Sequence, residues 1–302
     1  MEETLSAVED MFGRLGRGEA ENAPRRHPST GPVTLNLMGA AAKGLGAGLK
    51  AYTITKGAMR FVVLLWDPDS GDLQAIMEAG YMGAVRTGAA SGVATKYMAR
   101  KDAGTLGVLG SGGQSFTQVA AVCAVRNIDR VSVFSPTPEH RETLAARVRA
   151  ELGIQATAVD SARAAAESDV ICTITTSREP VLKREWIAPG THINAAGAHW
   201  PWASELEGAL VSAAYVALDD REQARIECGE LLQVESADPE VWNRAVVLSD
   251  VVAGNARGRA DKDQITIFNS LGIAAEDVAV ARLVYDKAIK SGLGVELPVT
   301  VL

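Results

Sequence analysis

Apolar residues recur every three to four positions over 3–16 (Leu5, Val8, Met11, Phe12, Leu15), the spacing of a helix with one buried face. Gly16 and Gly18 end it. Short β-type runs follow. Residues 33–38 (VTLNLM), 48–55 (GLKAYTIT) and 60–66 (RFVVLLW) read as strands, and after the turn DPDSGD comes another, LQAIMEAG, over 73–80. This stretch predicts an antiparallel cluster packed on helices through one face. The Ala-rich run MGAVRTGAASGVATKYMAR predicts a long helix over 82–100.

Beyond Lys101 the pattern alternates. Apolar strands are predicted at 105–110, 130–135, 155–159, 169–176, 191–197 and 215–220, with helices at 115–127, 138–152 and 162–168. Strands this apolar, separated by helices, belong in a parallel sheet covered on both faces. From Ile265 the chain is read as returning to helix, with an apolar stripe in AAEDVAVARLVYDKAIKSG. The expectation is an α/β protein with a Rossmann-type doubly wound parallel sheet over 101–274. A second α+β domain is expected from 1–100 together with the C-terminal helix of 275–302.

Composition narrows the function. The 302 residues carry a net charge of −7 with no basic run, which argues against nucleic acid as a partner. FVVLLW is far shorter than the roughly 18 residues of a membrane span, and MEETLSAVEDMF is unlike a secretory signal. Cys123, Cys172 and Cys228 are widely spaced, which suggests reduced thiols in a cytoplasmic protein and no metal site.

The chemistry begins at GVLGSGGQS. Gly110 permits a tight turn, Gly112 lets backbone approach a pyrophosphate, and Ser115 stands where a third Gly or Ala is usual. The turn follows a strand and opens a helix, the setting of a dinucleotide site. Gly110, Ser111, Gly112, Gly113 and Gln114 are therefore candidate cofactor residues. About twenty residues on, VFSPTPEHR offers Ser135, Thr137 and Arg141 in place of the usual acid. Those three residues lean towards the 2′-phosphate of NADP, although Arg141 also reads as a solvated helix residue and NAD stays open.

RTGAASGVATKYMAR, GVLGSGGQS, HINAAGA…EL and IFNSLGIAAEDVAVA occur in that order, and together they resemble the ornithine cyclodeaminase/mu-crystallin family. The resemblance runs from about residue 24 to the C-terminus. It implies NAD(P) as cofactor, an amino or imino acid as substrate, and a homodimer formed through the second domain. It also implies a pocket in which cations hold the substrate carboxylate, with Arg26, Lys50 and Arg86 as candidates. Arg25 could fill the role of Arg26. Lys50 also reads as a snorkelling strand residue and Arg86 as a helix-surface ion pair. The resemblance adds Thr87, Thr175, Ala196, Gly197 and Ser270 to the cofactor-binding set, and it places an acid near Asp219 and Asp220.

One loop departs from the family. Where cyclodeaminase-type members carry an aspartate and then a lysine, this chain reads Gly-Ala-His-Trp-Pro-Trp-Ala, with His199 at the acid's place and Ala203 at the lysine's. Loss of the anion weakens the case for a diamino acid. His199 is a candidate proton donor or a plain loop residue, and Trp200 and Trp202 are candidate walls for an apolar side chain. The expected reaction is hydride transfer to the imine carbon of an imino acid, with Lys50 passing the proton. The alternatives are ornithine cyclodeamination and non-catalytic NADPH binding.

Overall fold

The computed structural model describes residues 1–297. Helix α1 (Glu2–Gly16) precedes five strands: β1 (Ala20–Arg26), β2 (Thr34–Ala42), β3 (Gly46–Thr55), β4 (Ala58–Trp66) and β5 (Leu73–Glu78). They pair antiparallel in chain order, and α2 (Gly80–Met98) then leads away. Strand β1 was not predicted. Its sequence, AENAPRR, is polar and contains a proline, which suits an edge position and carries no apolar alternation.

The second sheet has eight strands, all paired in parallel. In chain order the elements are β6 (Thr105–Leu109), α3 (Ser115–Val125), β7 (Arg130–Phe134), α4 (Pro138–Leu152), β8 (Gln155–Ala158), α5 (Ala162–Ala166), β9 (Val170–Thr173) and β10 (His192–Ala195). Next come α6 (Gly208–Ala213), β11 (Tyr215–Leu218), α7 (Arg221–Glu227), α8 (Gly229–Val234), α9 (Val241–Arg244), β12 (Val246–Val247) and α10 (Leu248–Ala253). Strand β13 (Thr266–Asn269) and α11 (Ala274–Lys290) follow.

Spatially the strands run β12-β11-β13-β10-β9-β6-β7-β8. The chain winds one way from β6 through β7 to β8 and the other way from β9 outward. The crevice between β6 and β9 is thus the switch point where open α/β sheets bind ligands.

The expectation of helix from Ile265 fails for its first residues. Thr266–Asn269 form β13, a buried central strand between β10 and β11. TIFN is too short to show a period of its own. Only from Ala274 does α11 begin, and it packs back on β2, β3 and α2. Val8, Met11 and Phe12 of α1 join Val63, Leu65, Ala90, Val93 and Val278 in one core between the antiparallel sheet and the helices over it. The sheet's other face is only partly covered: Leu37, Leu49, Ala51, Val62 and Leu64 are half-buried, and Ile76 is exposed.

Candidate active site

Strand alternation decides which cations reach the interior. Lys50 pairs with Met38 and Val63 on the row facing α11, so its side chain points inward and is only 4% exposed. Arg26 pairs with Leu37, which lies on the opposite row, and Arg26 is exposed. Its predicted place is taken by Arg25, which points inward and is 3% exposed. One period-2 step moves a side chain to the other face, which is why the choice between neighbours could not be made without the register.

A cavity of about 350 Å³ lies between the antiparallel sheet and the mouth of the parallel one, within the range of small-molecule sites. Arg25, Lys50 and Arg86 line it together with Thr87, Gln114, Ala196 and Ser270. The predicted cations other than Arg26 and the glycine turn's last residue therefore share one chamber. Tyr52, Phe61, Met38 and Trp200 supply apolar wall, and His199 also lines it.

Each cation is held from behind by a buried acid. Lys50 Nζ donates to Asp277 Oδ1 at 3.0 Å. Arg86 Nε donates to the same oxygen at 3.1 Å, and its NH1 to Glu276 Oε2 at 2.7 Å. Arg25 donates to Glu227 Oε2 at 2.8 Å and to the carbonyls of Leu271 and Gly272 at 2.8 and 2.7 Å. No acid is among the described residues that line the cavity.

Burial, reinforced by Arg86, lowers the Lys50 ammonium to about 8, even though Asp277 pulls the other way. Burial also disfavours charge on Arg86, but Asp277 and Glu276 outweigh it and push the guanidinium's pKa up. For Glu227 burial wins over Arg25 and raises the carboxyl to about 7. Asp219 is pushed well up by burial and by Glu276. It accepts the Gly272 N–H at 2.6 Å, while Asp220 caps α7 through the Gln223 N–H at 2.7 Å. Both acids thus fix backbone beside the chamber, and neither is among the residues that line it.

His199 departs from expectation in its chemistry. Burial and the surrounding Arg25, His27, Arg86 and Lys50 lower its pKa to about 3, so the ring is neutral near pH 7. A neutral imidazole can still donate or accept a hydrogen bond. Its neighbours form an aromatic chain: Trp200 lies 5.3 Å from His199, 5.2 Å from His27 and 4.9 Å from Trp202 between ring centroids. Trp202 is 57% exposed and stacks on Trp200 from outside, so only Trp200 walls the cavity.

The glycine turn fits a dinucleotide. Gly110 has φ +113°, and a Cβ there would stand 2.3 Å from the Ile174 carbonyl oxygen. At Gly112 and Gly113 a Cβ would meet nothing within 4 Å, which leaves backbone open to a close ligand beside the N-terminus of α3. Ser111 donates to Ser135 Oγ at 2.8 Å, and the Ser135 hydroxyl to the Thr137 carbonyl at 3.2 Å. Arg141 donates to the Ser135 carbonyl at 3.1 Å and to exposed Asp160 at 2.6 Å. Thr87 bonds back to the Gly83 carbonyl at 2.8 Å, and the buried Ser270 hydroxyl has no partner among the described residues, as expected of a group awaiting a ligand. Thr175 and Gly197 lie two residues beyond the ends of β9 and β10.

The decisive likeness covers nearly the whole chain: the profile of the ornithine cyclodeaminase/mu-crystallin family matches residues 1–292. The chain belongs to that family. It is 35% identical to an alanine dehydrogenase of Archaeoglobus fulgidus, over 97% of this chain and 92% of that one. Among solved structures, the Δ1-pyrroline-2-carboxylate reductase of Thermococcus litoralis, in complex with NADH and L-proline, superimposes with a TM-score of 0.93. The two share 34% identity over 97% and 95% of the chains. The iminosuccinate reductase of Paracoccus denitrificans, in complex with NAD+, gives 0.92 at 33% identity over 99% and 95%.

Sequence reasoning missed His27, Glu227, Glu276 and Asp277. His27 shares a 2.6 Å hydrogen bond with Asn36 and lies 3.5 Å from Glu227. Glu276 and Asp277 look in the sequence like ordinary first-turn acids favoured by the helix dipole, and nothing there shows that they face cations 190 or more positions away. Arg25 was visible only as the neighbour of Arg26.

Proposed function

We propose that this chain is an NAD(P)-dependent oxidoreductase that reduces the C=N bond of a small imino acid, or oxidises the corresponding amino acid. The observation that carries this reading is the shared chamber, lined both by buried cations and by Gln114, the last residue of a dinucleotide-type turn. NAD(P)H supplies the hydride. Gly110, Ser111, Gly112, Gly113 and Gln114 would hold its phosphates, with Thr87, Thr175, Ala196, Gly197 and Ser270 along the rest of its length.

The chain's own residues do the rest. Arg25 and Arg86 offer forked donors to a carboxylate, and their acids keep the forks oriented. Lys50, poised near 8, is charged at neutral pH and can give up a proton to the imine nitrogen. The apolar wall excludes water from the reacting centre. Neutral His199 orients by hydrogen bonding and does not serve as the acid.

A lean to NADP is part of the same proposal: Arg141, near the start of α4, reaches back to the Ser135 carbonyl just past β7 and shares its charge with the exposed Asp160. So is a homodimer, because the half-buried apolar face of the antiparallel sheet is suited to a second copy. A cytoplasmic location is supported by the free Cys123, Cys172 and Cys228.

Ornithine cyclodeamination is the second reading. It needs an acid for the side-chain amine, whereas Glu227, Glu276 and Asp277 are committed to Arg25, Arg86 and Lys50. A panel of cyclic and linear imino acids, assayed with NADH and NADPH, tests the proposal. Reduction with loss of 340 nm absorbance is expected. Ammonia release from ornithine without that loss would overturn it in favour of the cyclodeaminase, and tight NADPH binding without any turnover would favour a binding protein.

A further inference from the structure

Glu205 is fully buried and belongs to neither the cation cluster nor the glycine turn. Its carboxylate accepts three donors. Oε1 takes the Thr175 N–H at 2.7 Å, and Oε2 takes the Gly197 N–H at 2.7 Å and the Thr173 hydroxyl at 2.8 Å. Thr173 and Thr175 leave β9, and Gly197 leaves β10, so one side chain grips both loops at the ligand-facing edge of the sheet. The loops also touch directly. A Cβ on Gly197 would stand 2.4 Å from both the N and O of Thr175 and 2.5 Å from Glu205 Oε1, so only glycine fits.

The grip is itself anchored. The Glu205 N–H donates to Glu230 Oε1 at 3.0 Å, and its carbonyl accepts the N–H groups of Val181 and Leu182 at 2.8 and 3.1 Å. Three converging N–H and O–H donors suit an acceptor-only group. A carboxamide of the same shape would turn its NH₂ against at least one of them, and a buried unmatched donor is costly.

We infer that Glu205 is a positioning residue: it ties the β9 loop to the β10 loop and thereby sets where Ala196, His199 and Trp200 stand around the chamber. It acts through those residues and touches no reacting atom. The inference rests on the NAD(P)-dependent reading above.

Glu205→Gln tests it, with wild type and Thr173→Val alongside. The expected result is a fall of about 10²-fold in kcat/KM for imine reduction, the scale for a misplaced chamber. A smaller rise is expected in the Kd for NAD(P)H, together with a changed near-UV circular dichroism signal from the stacked Trp200–Trp202 pair, identified by its loss in Trp202→Phe. Thr173→Val leaves the carboxylate and removes one donor, so it should move the same readouts in the same direction by several-fold, and it decides the matter if Glu205→Gln does not fold. Variants with a lower Tm but wild-type kinetics and an unmoved indole signal would make Glu205 a structural residue only, and the inference would be overturned. If wild type fails to bind NAD(P)H, the functional reading falls instead, and the indole signal still tests the tie because it needs no cofactor.

Discussion

The glycine turn reaches the chamber of the cation cluster through Gln114, yet the two are built in opposite ways. The turn is one stretch of nine residues whose function lies in its backbone: a positive φ at Gly110 and bare amides at Gly112 and Gly113. The cluster gathers side chains from β1, β3, α2 and the start of α11, and each cation owes its direction to an acid on a distant segment. Backbone sites of this kind tolerate substitution except where a Cβ collides. A cluster of buried charges does not, because removing one member strands its partner.

The largest effect should come from the centre of the cluster. Lys50→Ala is expected to lower kcat for imine reduction by about 10²- to 10⁴-fold, the worth of a positioned acid, while NAD(P)H binding measured by fluorescence persists. Turnover near the wild-type rate would remove Lys50 from its role. Arg25→Ala should raise the substrate KM by roughly 10- to 100-fold through loss of charge-assisted bonds, and Arg26→Ala should leave it within about twofold. Steady-state kinetics of the pair would settle which arginine faces substrate, and equal effects would contradict the register that separates them.

On the other side of the comparison, Gly110→Ala should prevent folding or cost several kcal/mol, since the new methyl meets a carbonyl at 2.3 Å. Gly112→Ala should fold with an unchanged Tm and weaken NAD(P)H by about tenfold, because the methyl occupies space left for the ligand. Thermal melts and titrations distinguish the two, and tight NAD(P)H binding by Gly112→Ala would mean that the phosphates lie elsewhere.

The pH dependence follows from Lys50. Burial first, then Arg86, lowers it to about 8, so the charged form that donates a proton prevails below that value and is lost above it. Imine reduction should fall about tenfold per pH unit beyond 8, and amino acid oxidation, which needs the free amine, should rise over the same window. A flat reductive profile from pH 7 to 10 would exclude Lys50 as the acid. The smallest effect is expected at Arg141→Ala, a several-fold loss of preference for NADPH over NADH, read from the ratio of kcat/KM values.

How much of this could be read from the chain follows the same division. The turn is local, so GVLGSGGQS announced it, and the apolar alternation of strands and helices announced the parallel sheet around it. Lys50 and Arg86 were legible through the resemblance to the family, Lys50 also as a cation in an otherwise apolar strand. Their acids were not, because an Asp and a Glu at the start of a helix have an ordinary explanation. Arg25 was lost to Arg26 because β1 is polar, edge-placed and interrupted by Pro24, leaving no periodicity to set its faces. The short strand at Thr266–Asn269 was absorbed into the helix after it for want of length.

Asp277 Oδ1 serves the ammonium of Lys50 and the guanidinium of Arg86 at once. Arg86 has Glu276 as well, whereas Lys50 has only its share of that oxygen, so the ammonium is the less fully balanced of the two. On the proposed mechanism that imbalance would favour an anionic guest, whose own negative charge would strengthen the hold of Lys50 on its proton. Arrival would thus carry the charged form of Lys50 to higher pH, and departure would return it to its resting titration.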